Sequence, residues 1–271
     1  MRSGTKNIMR VLVIALTLAV VSPSVAAELN KAMDAVASGD YIIAVRELKS
    51  LAIQGNAIAQ YNLGIMYARG LGVSQNHVEA ASWYRKAAEQ GNAYAQRNLG
   101  LMYAEGQGVP QDHVQAAKWT REAAEQGLAR AQYELGITYT EGWGVPQDHV
   151  QAAKWTRKAA EQGLAQAQYN LGVMYEDSQG VQQDHAQAVY WYRKAAGQDL
   201  AKAQYNLGGM YSNGMGVPQN YIEAHMWFNL AASRGHTGAI KNRAIVADRM
   251  TSQQIAEAQA LAREWAAKNR K

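Results

Sequence analysis

Apolar residues along most of this chain fall into short blocks with helical spacing, separated by polar, glycine-containing breaks. One block places Ala95, Leu99 and Met102 at i, i+4 and i+7, which puts their side chains on one face of a helix. The break at 106–110 ends in proline, which cannot continue a helix interior. Ala116, Trp119, Ala123 and Ala124 then repeat the helical spacing. The pattern predicts a pair of helices joined by a short turn.

This two-helix pattern returns every 36 residues without an insertion. A fixed period of this size is typical of proteins built from stacked repeats. One helical pair cannot bury its own apolar face, so each pair must pack on a neighbour. We therefore predict an all-α fold of stacked αα-hairpins, with a column of tryptophans that fill the space between units: Trp83, Trp119, Trp155, Trp191 and Trp227.

A second column, composed only of Asp and Asn, precedes the second helix of each pair. Such side chains accept hydrogen bonds from the free N–H groups at a helix start. Asn56 and Asn92 are predicted to do the same before two of the first helices. The predicted caps of the second helices are Asp40, Asn76, Asp112, Asp148, Asp184 and Asn220.

These signals divide the chain into four parts. Residues 1–27 are predicted to be a signal peptide, and 28–55 an N-terminal capping helix pair in which Glu47 takes the tryptophan position. Five units follow at 56–91, 92–127, 128–163, 164–199 and 200–235. Residues 236–271 are predicted to be C-terminal capping helices, the last of which starts at a capping box formed by Thr251 and Gln254.

The N-terminus has the features of a secretory signal. Three basic residues precede an apolar run from Val11 to Val21, and small residues end at Ala27. This run is too short to span a membrane. We expect cleavage after Ala27, a periplasmic or secreted protein, and no integral membrane segment afterwards. The chain has no cysteine, so the exported fold must be held by packing without disulfides.

The run from Ala59 to Tyr67 (AQYNLGIMY), with later copies of GVPQDH and of WYRKAAEQG, closely resembles the Sel-one-like repeat family. This family is a branch of the tetratricopeptide-type helical repeats, and the resemblance covers about residues 38–235. Ser178, Asp199 and Arg97 depart from the pattern. The resemblance implies a right-handed superhelix that acts as a non-enzymatic interaction scaffold. Cysteine-rich exported relatives imply an alternative, a β-lactam-binding or β-lactam-hydrolysing enzyme, but their cysteine pairs are missing here. A peptidoglycan-binding or envelope-binding structural protein is the other alternative.

No catalytic, cofactor or metal site is predicted. Ser3 and Lys6 form an S-x-x-K motif, but within the segment to be removed. Equivalent residues of successive units should lie about 10 Å apart, too far for one zinc ion. The histidines that repeat at this spacing are therefore interpreted as first-turn residues of the second helices: His77, His113, His149 and His185.

The net charge of +5 is concentrated at the C-terminus. Residues 234–271 hold eight basic and three acidic residues. A solvated helix face explains this charge, and an anionic partner such as a cell-wall polymer is the alternative. The chain has no continuous basic stripe, which argues against nucleic acid as a partner.

The best candidate site is one face of the first helices, which we call the first-helix face. Tyrosine and its neighbour, mostly asparagine, should point away from the core stripe, as should a branched column that includes Ile65, Ile137 and Val173. Similar solenoids line a concave groove with these helices, which suits an extended peptide or a partner helix. The alternative is that the columns only pack adjacent first helices together. We expect a monomer that binds a protein or peptide through Tyr61, Asn62, Arg97, Asn98, Tyr133, Glu134, Tyr169, Asn170, Tyr205 and Asn206, with Arg97 and Glu134 setting selectivity.

Overall fold

The computed structural model describes residues 23–269, and this part of the chain folds into fourteen α-helices without a strand. The predicted all-α fold of tandem helical hairpins is confirmed. Ser3, Lys6 and most of the predicted signal peptide lie outside the described residues. The described residues form two compact units, one of residues 23–131 with 143–145 and one of residues 132–142 with 146–269.

The helices of the first unit are paired as the periodicity predicts. In each pair the second helix lies against the first, and α2 also packs on α3 and α4 on α5, the first helices of the following pairs. The helices are α1 (Pro23–Ser38), α2 (Tyr41–Ile53), α3 (Ala57–Arg69), α4 (His77–Glu89), α5 (Ala93–Glu105) and α6 (His113–Glu125).

The second unit follows the same rule. Here α8 packs on α9 and α10 on α11, while α12 lies against both terminal helices. The helices are α7 (Ala129–Glu141), α8 (His149–Glu161), α9 (Ala165–Glu176), α10 (His185–Ala196), α11 (Ala201–Asn213), α12 (Tyr221–Ser233), α13 (Thr237–Ala247) and α14 (Ser252–Lys268).

The two helices of a hairpin approach closely at a glycine. A Cβ added to Gly172 would lie 2.6 Å from the ring of Tyr192, and one on Gly208 would lie 2.8 Å from Phe228. In the hairpin of α7 and α8 a threonine takes the place of the ring, and Gly136 faces Thr156. The glycine therefore sets the distance between the two helices of each hairpin.

Successive hairpins are joined by apolar packing and by buried glutamines. The tryptophans are buried as predicted, and they belong to separate clusters: Trp83 packs with α1–α3, and Trp227 packs with α10, α11 and α14. Gln168 donates to the carbonyl of Ala160 in the preceding helix at 3.1 Å and accepts from Gln198 at 2.8 Å. One buried amide thus connects three helices, since α8, α9 and the end of α10 meet there.

Five of the six predicted caps of the second helices are confirmed, because their side-chain oxygens accept from first-turn N–H groups. The prediction is wrong for Asp40, which makes no capping hydrogen bond. Its carboxylate instead accepts from Ser38 at 3.1 Å. The caps at Asn56 and Asn92 and the capping box of Thr251 and Gln254 are confirmed.

Two non-glycine residues adopt the left-handed backbone conformation that glycine holds in other repeats. Ser178 has φ of 58°, where Gly106 and Gly214 have 68°. Asp199 has φ of 66° at a position occupied elsewhere by glycine, and its carboxylate pairs with Arg234. The turns therefore keep their geometry, at the cost of strain that a Cβ introduces in this region.

Candidate functional site

In the second unit, the first-helix face contains a ladder of tyrosines and asparagines from neighbouring hairpins. Asn170 donates to the hydroxyl of Tyr133 at 3.4 Å, and Asn206 lies close enough to the Tyr169 hydroxyl to offset part of the rise in its pKa. The ladder continues beyond the predicted residues, since Asn242 donates to Tyr205 at 3.1 Å. Each bond joins residues 37 apart, one period plus one. The ladder orients the rings and fixes adjacent first helices, and its members remain half-buried.

In the first unit, the first residues of the tyrosine column and of the branched column lie in the core. The expectation that Tyr61 and Ile65 point away from the core is wrong, because Tyr61 is 4% exposed and Ile65 is 3% exposed. The Tyr61 ring lies 6.0 Å from both Tyr84 and Tyr94. Burial raises the pKa of Tyr61 to about 12, so the phenol stays protonated at neutral pH.

The asparagines and the one arginine of the first unit differ in exposure. Asn62 is 1% exposed and donates to the carbonyl of Ile58 at 2.9 Å within its own helix. Arg97 and Asn98 are half-buried, and the Asn98 amide lies close enough to Tyr61 and Tyr84 to offset part of the rise that burial causes in the pKa of each phenol. Packing thus accounts for Tyr61 and Asn62, which are buried, whereas Arg97 and Asn98 keep part of their surface exposed.

The second unit contains a cavity of about 210 Å³ between α7 and α9 on the first-helix face. The predicted residues Tyr169 and Asn170 line it. Thr140, Glu141 and Gln179 also line it, and none of these three was predicted from the sequence. The cavity is lined by Ile137, Thr140, Glu141, Tyr169, Asn170, Val173, Met174 and Gln179.

The environment of this cavity is electronegative. The pKa of the Tyr169 phenol is raised by burial and, after that, by the negative charges of Glu176 and Asp177. Glu176 accepts a hydrogen bond from Tyr192 at 2.5 Å. Glu141 is exposed at the rim. The C-terminal ends of α7 and α9 add partial negative charge at the same end, so the arrangement favours a cationic ligand group.

Other predicted features have structural roles. The repeated histidines begin α4, α6, α8 and α10 as predicted, and His113 stacks on the exposed Trp143 at 6.3 Å. Within residues 23–269, no three metal-binding side chains are grouped to hold an ion. No described helix combines the length and apolar character needed to cross a membrane.

Comparison with known families and structures gives a consistent result. The model of the Sel1 repeat matches five times, at residues 57–92, 93–128, 129–164, 165–200 and 201–236. The chain resembles the crystal structure of a Sel1 repeat protein from Oxalobacter formigenes, with 36% identity and a TM-score of 0.75 over 79% of this chain and 88% of that one.

A second solved structure is similar over more of this chain. It is a protective antigen with an SLR fold from uropathogenic Escherichia coli, 30% identical, with a TM-score of 0.44 over 90% of this chain and 69% of that one. A comparison with curated proteins finds no match.

Proposed function

The chain belongs to the Sel1 repeat family, and we propose that it is an exported, non-enzymatic scaffold that binds a protein partner on its first-helix face. Sel1 repeats commonly mediate protein–protein interaction, and proteins built from them are generally non-enzymatic. In this proposal the first-helix face is the concave side, and the partner is an extended peptide segment or a helix.

The observation that carries the proposal is the open, half-buried surface of the second unit. Its cavity has apolar walls from Ile137 and Val173 and polar groups from Asn170 and Tyr169, a combination typical of recognition sites. At the next hairpin, Gly209 takes the place of Val173, and a Cβ there would meet nothing within 4 Å. Neither packing nor backbone conformation requires this helical glycine, which costs about 1 kcal/mol relative to alanine. It leaves the surface open.

Export is the second part of the proposal. It is supported by the basic, apolar and small-residue order of residues 1–27. Helix α1 begins before Ala27, and Val25 packs against the core. Cleavage after Ala27 would remove Val25 but retain Leu29, Ala32 and Val36, which form the apolar face of α1. N-terminal sequencing of the exported protein should therefore begin at Glu28.

Affinity capture with two matched variants tests the binding site. Val173→Arg places a bulky charge on the first-helix face, whereas Val150→Arg does so on α8, where Val150 is already 64% exposed. Circular dichroism checks that both variants fold, because Val173 also packs against the core cluster of α10 and α11. Each protein serves as bait and is crosslinked to partners in native envelope, and mass spectrometry identifies what is captured. Val173→Arg should lose a specific protein that wild type and Val150→Arg retain. Equal capture by all three proteins, or capture of peptidoglycan alone, would contradict the proposal.

A further inference from the structure

The cavity between α7 and α9 is built for one side chain rather than for a whole small molecule. Its volume of about 210 Å³ is below the roughly 300–1,000 Å³ of small-molecule sites. Ile137, Val173 and Met174 line it with apolar groups, and Thr140, Glu141, Asn170 and Gln179 line it with polar groups. A long side chain with an apolar stem and a polar head fits this mixed lining.

The charge around the cavity selects the sign of that head. The side-chain carboxylates of Glu141 and Asp177 make no hydrogen bond or ion pair with the described residues. Residues 164–184, which include all of α9 and the turn after it, contain no lysine or arginine. The basic residue of α7 is Arg130, in its first turn, while Glu141 ends the helix. No cation of either cavity-lining helix therefore neutralises the carboxylate end.

The acidic end also coincides with the C-terminal ends of two helices. Their carbonyl groups carry partial negative charge, which stabilises a nearby cation. Tyr169 adds an aromatic ring among the lining groups, and such rings attract guanidinium and ammonium groups. The charge, the apolar walls and the ring all favour the same chemistry.

We propose that this cavity receives the side chain of an arginine or lysine from the bound partner, with its stem against Ile137 and Val173 and its cation at Glu141. This assignment rests on the proposed function, since it names a residue of the partner that the first-helix face would bind. It makes the partner segment basic at one position and gives Glu141 the role of specificity determinant.

A titration with defined probes tests the assignment without the partner. The full mature chain, labelled with ¹³C at isoleucine δ1 methyl groups, is titrated with N-acetyl-Gly-Arg-Gly-amide and with the same peptide carrying uncharged citrulline. The Ile137 methyl resonance should shift saturably with the arginine peptide. Binding of the citrulline peptide should be weaker by about fivefold or more, the factor that corresponds to roughly 1 kcal/mol.

Matched variants assign the effect to one carboxylate. Glu141→Gln should weaken the arginine peptide about fivefold, whereas Glu105→Gln, at the equivalent position one period earlier on α5, should leave it unchanged. An unshifted Ile137 methyl, equal binding of both peptides, or an equal loss in the two variants would overturn the assignment. These results are distinct from failure of the proposed function, because a partner captured through Val173 would leave that function standing without a basic-residue pocket.

Discussion

Asn170 donates its side-chain N–H to the hydroxyl of Tyr133, which lies one hairpin earlier on the first-helix face. The bond explains why the tyrosine and asparagine columns repeat together. They hold adjacent first helices at a fixed register, and the sides of the rings that remain accessible can still contact a partner. Packing and binding are therefore not exclusive roles for these columns.

The energetic contribution of this ladder can be isolated with a double-mutant cycle. Tyr133→Phe and Asn170→Ala should each reduce the free energy of unfolding, and the coupling between them should be about 0.5–1.5 kcal/mol, as for one partly buried hydrogen bond. Urea denaturation of the four proteins measures it. Additive losses would mean that the pair does not interact in solution.

Two consecutive glycines of α11 should respond to alanine in opposite ways. Gly209→Ala should raise the free energy of unfolding by about 0.5–1 kcal/mol, because the Cβ enters open space and the helix gains propensity. Gly208→Ala should lower it by up to about 2 kcal/mol, because overpacking against Phe228 costs about 1–3 kcal/mol and the propensity gain offsets part of this cost.

The same pair of variants bears on function. Gly209→Ala should stabilise the protein but weaken partner capture, since the methyl group narrows the surface beside Val173. Thermal unfolding and capture are measured on one preparation of each variant. A stabilised Gly209→Ala protein with undiminished capture would remove the functional reason for that glycine.

Ser178 holds a strained backbone conformation that can be relieved. Ser178→Gly should raise the free energy of unfolding by about 1 kcal/mol, because glycine adopts positive φ without the Cβ penalty. The reverse change, Gly214→Ser, should lower it by a similar amount at the equivalent turn. Chemical denaturation of both variants provides the comparison, and a destabilised Ser178→Gly protein would show that the Ser178 hydrogen bond to Val181 outweighs the strain.

His225 should make the stability of the protein depend on pH. It is buried on α12, and burial, followed by the charge of Arg243, lowers its pKa from the ordinary value near 6.5. The unfolded chain therefore binds a proton more readily than the folded protein does. Stability should be full above about pH 6.5 and should fall as the pH decreases toward the folded pKa.

Denaturation midpoints at pH 7.5 and pH 5.5 test this dependence. His225→Gln should reduce the difference between the two midpoints, whereas His149→Gln, which changes an exposed first-turn histidine, should preserve it. An unchanged difference in His225→Gln would assign the pH dependence to other groups.

The helical hairpins could be predicted from the sequence, but the burial of residues where adjacent hairpins meet could not. The tryptophan column and the caps follow from a period that local chemistry enforces at every unit. The burial of Tyr61 depends on Tyr94 from the next hairpin, which covers it, and the equivalent positions 166 and 202 carry Gln and Lys. A helical-wheel argument within one helix cannot account for such a contact.

The cavity escaped prediction for a related reason. Glu141 resembles any exposed carboxylate at a helix end, and its significance comes from the apolar walls and the lack of lysine and arginine on α9. The walls come from two hairpins together, and the charge of α9 matters only once α9 is known to face Glu141. Asp40 does not cap α2, and its carboxylate accepts from Ser38 instead. The next unit also has a serine at the equivalent position, Ser74, yet Asn76 caps its helix, so the serine alone does not explain the difference.

Site-specific photocrosslinking in the native envelope tests the central claim most directly. A photoreactive phenylalanine analogue replaces Ile137 on the first-helix face in one protein and the exposed Val150 on α8 in another. The account predicts a discrete protein adduct at position 137 and none at position 150, with the crosslinked partner segment identified by mass spectrometry. An adduct at 150 but not at 137, or the same adducts at both, would contradict it.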